Sequence, residues 1–120
     1  MAARGDNSFR RFQRLSGREE ISRVFASGRR KFDRALTVLG LPNGLPHSRA
    51  MVALSRHHGG AVTRNRLKRL CREAFRLSQS QVPGGWDWVL IPRPGKEAIL
   101  LQLRESFVML ANLLAAEGAI

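Results

Sequence analysis

Residues 61–77 read AVTRNRLKRLCREAFRL. Six of these side chains are basic (Arg64, Arg66, Lys68, Arg69, Arg72, Arg76) and one, Glu73, is acidic. At about 100° per residue, Leu67, Leu70, Cys71, Ala74 and Phe75 fall on one face of a helix. Arg64, Asn65, Lys68, Arg69, Arg72 and Arg76 fall on the opposite arc. The spacing therefore predicts an amphipathic helix ending near Ser78, with one face in a core and the other carrying an arginine stripe. Guanidinium groups stay charged and fork onto phosphate oxygens, so such a stripe suits a polyanion. A merely solvated helix face mixes charges of both signs; this one does not.

Outward from that helix, the chain alternates short apolar runs with turns. Towards the N-terminus, Ser16 and Glu19 fit a capping box, Ile21, Val24 and Phe25 make an apolar face, and Gly28 stops a first helix. Arg29–Lys31 then reads as a basic turn. Residues 35–41 (ALTVLGL) and 49–55 (RAMVALS), separated by PNGLPHS, read as two strands of a hairpin. RHHGG at 56–60 reads as a flexible basic link. His57 and His58 there are either further donors to phosphate or part of a solvated loop. Beyond the arginine helix, Pro83-Gly84-Gly85 breaks the chain and WDWVLIP at 86–92 reads as a strand buried on both faces. Lys96–Glu117 reads as a last helix, with Ile99, Leu103, Phe107, Leu110 and Leu114 on one side. The order predicts an α+β two-layer sandwich: a small mixed sheet packed by about three helices. Residues 1–15 read as a flexible basic arm and 16–118 as one domain.

The charge narrows the function. The 120 residues carry a formal +12, and 18 of the 21 basic side chains lie in residues 1–76, which hold +13; residues 77–120 hold −1. Only Lys31, Lys68 and Lys96 are lysines. This points to nucleic acid before an anionic membrane. The single Cys71 permits no internal disulfide and suits a reducing cytoplasm, where it is expected as a plain core thiol. No signal peptide or membrane-length apolar run is evident. His47, His57, His58 and one cysteine do not make a zinc set, and the scattered acids give neither a nucleophile–base pair nor a carboxylate cluster for metal-assisted nuclease chemistry. Glu19, Glu20, Asp33 and Glu73 read as caps or ion-pair partners. Trp86 and Trp88 read as core. A helix-turn-helix DNA binder is disfavoured, because a strand and a Gly-Gly link precede the arginine helix instead of a short helix.

The run Arg64-Asn65-Arg66-Leu67-Lys68-Arg69-Leu70-Cys71-Arg72-Glu73-Ala74-Phe75-Arg76 resembles the R-N-R-x-K-R-x-x-R-E-A-F-R signature of the protein subunit of bacterial ribonuclease P. EEISRVFASGRR, MVALSRHHGGAV and GGWDWVLIPRPG resemble that family's first helix, its strand and Lys-Lys-x-Gly-Asn turn, and its strand ending in Arg-Pro. The resemblance implies a sandwich with a left-handed strand–helix–strand crossover. It implies a non-catalytic accessory subunit of a magnesium-using catalytic RNA that removes the 5′ leader of precursor tRNA. The protein itself would bind no cofactor or small molecule tightly. Contact with the catalytic RNA would come from Arg56, His57, Arg64, Asn65, Arg66, Lys68, Arg69, Arg72 and Arg76. A leader-binding cleft would use Ile21, Phe25, Arg34, Leu39, Lys68 and Arg72. Arg56 and His57 stand where the family has paired lysines, Gly60 replaces an Asn, and Ile21 replaces a frequent Phe. The alternative is a ribosomal-type protein or RNA chaperone with no part in cleavage.

Overall fold

The fold is organised around the run Trp86–Pro92. Its alternate residues face opposite ways, and both sets are buried, so this strand needs partners on both edges and cover on both faces. The computed structural model describes residues 10–118. It contains helices α1 (Arg18–Ser27), α2 (Ala61–Ser78) and α3 (Leu100–Gly118), and strands β1 (Arg29–Phe32), β2 (Leu36–Pro42), β3 (Arg49–Val52) and β4 (Trp86–Pro92). The sheet order is β1-β2-β4-β3, with β4 antiparallel to β2 and parallel to β3. The fold is α+β with a mixed sheet and three helices, as expected.

On one face, Leu36, Val38, Ala50, Trp86, Trp88 and Leu90 meet Cys71, Ala74 and Phe75 of α2 and Leu103, Phe107, Leu110 and Leu114 of α3. On the other, Leu39 and Val89 meet Val24 of α1 and Leu15. The alternation within β2 and β4 thus feeds two cores, one under a helix pair and one under a single short helix. Cys71 is a core thiol, and burial pushes it up to about 12. At pH 8 only about one part in ten thousand would be thiolate. Native protein should therefore not react with a disulfide reagent on the timescale on which denaturant-unfolded protein reacts fully; equal rates would contradict this burial.

Four expectations are corrected. β2 and β3 do not pair as a hairpin, because β4 lies between them. A central, doubly buried strand gains more by pairing on both edges than two half-buried strands gain from a six-residue turn. Arg29–Phe32 is an edge strand, not a turn, pairing Arg29–Phe32 with Thr37–Gly40. Its four polar or exposed residues carry no alternation, and charged residues are a usual guard on an exposed edge. The cap of α1 is Gly17, whose carbonyl accepts the Ile21 N–H, with no side-chain cap bond; Gly28 stops the helix as expected. The last helix begins at Leu100, four residues later than Lys96.

The arm's boundary also moves. Arg11–Gln13 form a 3-10 turn, Arg14 bridges Ala50 of β3, and Leu15 is 3% exposed. The Leu15 N–H donates to the Ala50 carbonyl, and Gln13 Nε2 donates to Gln79 Oε1 at the end of α2. Residues 10–15 therefore run along the outer edge of β3 as part of the fold. Residues 1–9, which the arm was also expected to include, lie outside the described residues.

Candidate nucleic-acid interface

The helix carrying the arginine stripe rides along the β3 edge. Leu67, Cys71, Ala74, Phe75 and Ser78 of α2 are buried, so the basic residues are held on a rigid rod rather than a loop. The stripe divides in two. Arg64, Asn65 and Lys68, with Ala61, line a cavity of about 420 Å³ whose other wall is Met51–Leu54. Arg66 and Arg69 are exposed to solvent and do not line that cavity.

Further along α2, Arg72 is partly buried. Desolvation lowers its pKa first, and the charge of Arg14 lowers it further. Arg76 is engaged instead: its Nε donates to Glu73 Oε1 at 3.0 Å and its Nη2 to Glu73 Oε2 at 2.5 Å. These bonds raise Arg76 and lower Glu73 from their ordinary values. Glu73 is thus an ion-pair partner, as expected, and it occupies the last arginine of the stripe.

At the entrance to α2, Arg56–His58 form a 3-10 turn rather than a flexible link. Ser55 Oγ accepts the His57 N–H at 3.2 Å. Arg56 and His57 are exposed there. Gly59, at φ 115°, makes the bend that launches α2, and a side chain would be strained at that angle.

The Ribonuclease P family model matches residues 9–114. The chain belongs to the ribonuclease P protein family. It is similar to the ribonuclease P protein component of Syntrophobacter fumaroxidans, 36% identical over 118 residues and 98% of both chains. It is also similar to that of Nitrosococcus oceani, 44% identical over 88 residues, covering 72% of this chain and 73% of the relative. The RNase P protein of Thermotoga maritima superposes with a TM-score of 0.72 at 32% identity, covering 86% of this chain and 96% of that one. The family makes the chain a protein component of a ribonucleoprotein nuclease of tRNA processing, partnered with ribonuclease P RNA.

Within this chain the remaining expected site residues divide sharply. Phe25 is 47% exposed and Ile21 half-buried on α1. Leu39 is only 3% exposed, in the core under α1, so its side chain is packed among core residues and does not present a surface. Arg34 sits in the β1–β2 turn, on the rim of a different cavity of about 600 Å³ with Arg93, Lys96 and the start of α3. It does not line the cavity of Arg64 and Lys68. His58 is buried, so it is not a phosphate donor. Its Nε2 donates to the Pro92 carbonyl at 2.7 Å and its Nδ1 accepts the Ser55 N–H at 3.1 Å. That ring ties the Arg56–His57 turn to the end of β4, a role no sequence spacing signals.

No group of three His, Cys, Asp or Glu side chains suited to a metal occurs among the described residues. No described helix is long and apolar enough to cross a membrane.

Proposed function

We propose that this protein is the RNA-binding accessory subunit of ribonuclease P, holding the catalytic RNA and the 5′ leader of precursor tRNA while the RNA, with magnesium, performs the cleavage. The observation that carries this reading is the division of α2. Arg66 and Arg69, with Arg56 and His57 at the helix entrance, form an outward cationic surface for one folded polyanion. Arg64, Asn65 and Lys68 line a cavity against Met51–Leu54, which suits a second, single-stranded one. A chain that only coated RNA would need the first surface and not the second. Phosphates neutralised from both sides lower the demand for metal ions at the assembled site.

A reconstitution tests this. The protein is mixed with a bacterial ribonuclease P RNA and a precursor tRNA bearing a 5′ leader, at a magnesium level where the RNA alone is nearly inactive. Cleavage at the mature 5′ end that needs both components is the expected result. Binding without restored cleavage would favour the chaperone reading, and cleavage by protein alone would place the chemistry in the wrong molecule. Within this system, Arg64→Ala should reduce the slope of log affinity against log salt by about one unit. An unchanged slope would remove Arg64 from the phosphate contacts.

A further inference from the structure

Phe32 is the most exposed of the described aromatic side chains, at 63%. It ends the edge strand β1, at the side of the sheet remote from α2. The strand register fixes which way it faces. Phe32 pairs with Thr37, Thr37 with Ile91, and the Ala53 N–H bonds the Leu90 carbonyl in continuation of β3. Phe32, Thr37, Ile91 and Ala53 therefore form one row across four strands, on the face that carries α1. The next row, Leu39 and Val89, is sealed under Val24 and Leu15, whereas Thr37, Ile91 and Ala53 remain partly open. At about 4.8 Å between strands, the row spans roughly 14 Å. Ala53 is also a wall of the cavity lined by Arg64, Asn65 and Lys68. An unsealed track thus leads from that cavity across the sheet to Phe32.

The end of the track is built for a base and its phosphate. The Arg93 guanidinium carbon lies 5.1 Å from the Phe32 ring centroid, covering one face of the ring. Arg93 is itself braced, its Nε donating to the Asp33 carbonyl at 3.1 Å and its N–H to the Ala35 carbonyl at 3.1 Å. Arg30, two residues earlier on the same face of β1, and Arg34, in the turn that follows, are exposed. Of the acids, Asp33 is adjacent in sequence and its Oδ1 is taken by the Ala35 and Leu36 N–H groups, while Glu97 and Glu105 line the cavity that Arg34 and Arg93 share with Lys96. Glu117 is drawn to Lys31, which points to the other face of the strand. An exposed aromatic among free cations matches single-stranded nucleic acid, whose bases stack while its phosphates pair.

We infer that the free face of Phe32 is a stacking platform for one base of the precursor leader, extending the leader path from the α2 cavity to the β1 edge. This rests on the leader-binding reading above. The test uses the reconstituted holoenzyme and measures substrate affinity with a long leader and with a leaderless substrate. Phe32→Ala should weaken long-leader binding about five- to tenfold, the lower end of what base–aromatic stacking gives, because Arg93 already occupies one ring face. Leaderless binding should be unchanged, and Phe32→Trp should restore the long-leader affinity. If the wild-type complex prefers the long leader and Phe32→Ala leaves that preference intact, the platform is wrong while the leader reading stands. If Phe32→Ala weakens both substrates equally, the edge serves another RNA surface and the inference fails. If the wild-type complex shows no leader preference, the underlying reading has failed.

Discussion

Asp87→Ala is expected to destabilise the protein by about 3–5 kcal/mol, the cost of stripping one partner from a buried ion pair. Asp87 lies in the central strand and is 3% exposed. Its carboxylate accepts Arg49 Nε at 2.8 Å and Arg49 Nη2 at 2.7 Å, a bidentate pair, and Asn43 Nδ2 at 2.8 Å. The Asp87 hydrogen bond is the first cause of the raised Arg49 pKa, outweighing the desolvation that opposes it. Removing the carboxylate leaves a half-buried guanidinium without its acceptor, while the Asn43 amide keeps only the longer bond to the His47 carbonyl at 3.3 Å. Since whole domains are stable by only about 5–15 kcal/mol, this single change would bring the protein close to unfolding. Urea denaturation of the variant measures it. The double variant Asp87→Leu/Arg49→Met should recover much of the loss, because the penalty lies in the orphaned charge rather than in the missing bond. A loss below about 1 kcal/mol for Asp87→Ala would show that Arg49 finds water instead, and that the pair is effectively a surface one.

The second large effect is steric. A methyl group at Gly40 would stand 2.4 Å from Trp88 Cζ3, 2.7 Å from Trp88 Cε3 and 3.2 Å from Trp86 Cε3. Neither indole can retreat. Their rings stack at 5.0 Å, and Trp88 is fully buried with its edge contact to Phe107 at 5.7 Å. Gly40→Ala should therefore cost about 3 kcal/mol, at or above the top of the usual range for overpacking, despite the better strand propensity of alanine. Thermal unfolding measures the loss, and pairing the change with Trp88→Phe should return part of it by vacating the space. Wild-type stability in Gly40→Ala would mean that the strands separate more easily than this packing allows.

What could be read from the sequence follows the range of the forces involved. The arginine helix, expected to end near Ser78, runs from Ala61 to Ser78; it was legible because a helix's period and its buried face are local. The central strand was legible from WDWVLIP for the same reason. The hairpin was not: nothing local to residues 35–55 reports that a strand more than thirty residues later separates its two halves. β1 was missed because RRKF has no alternation to detect. At the candidate site, the stripe of cations on α2 was legible, since a one-sided stripe is unusual in any context. The partners of that stripe were harder. Leu39 and Thr37 present the same face of β2 and differ only in what covers them, which depends on where α1 and Leu15 land. His58 looked like a twin of His57, yet one rotation of a 3-10 turn buries it against a carbonyl. Phe32 was overlooked because it falls between the basic turn read at Arg29–Lys31 and the strand read from Ala35.

The parallel pairing of β3 with β4 has a consequence for biosynthesis. β3 has no other strand partner in the sheet, and β4 is complete only when residue 92 has been made. On an elongating ribosome, the whole arginine helix therefore emerges before the strand that supplies its floor. During that interval the nascent chain is a polycation beside a large body of ribosomal RNA, with an apolar helix face not yet covered. Folding as a unit must wait for the last third of the chain. A version stopped after residue 85 should remain unfolded, while restoring the final 35 residues as a separate peptide should let the two pieces assemble.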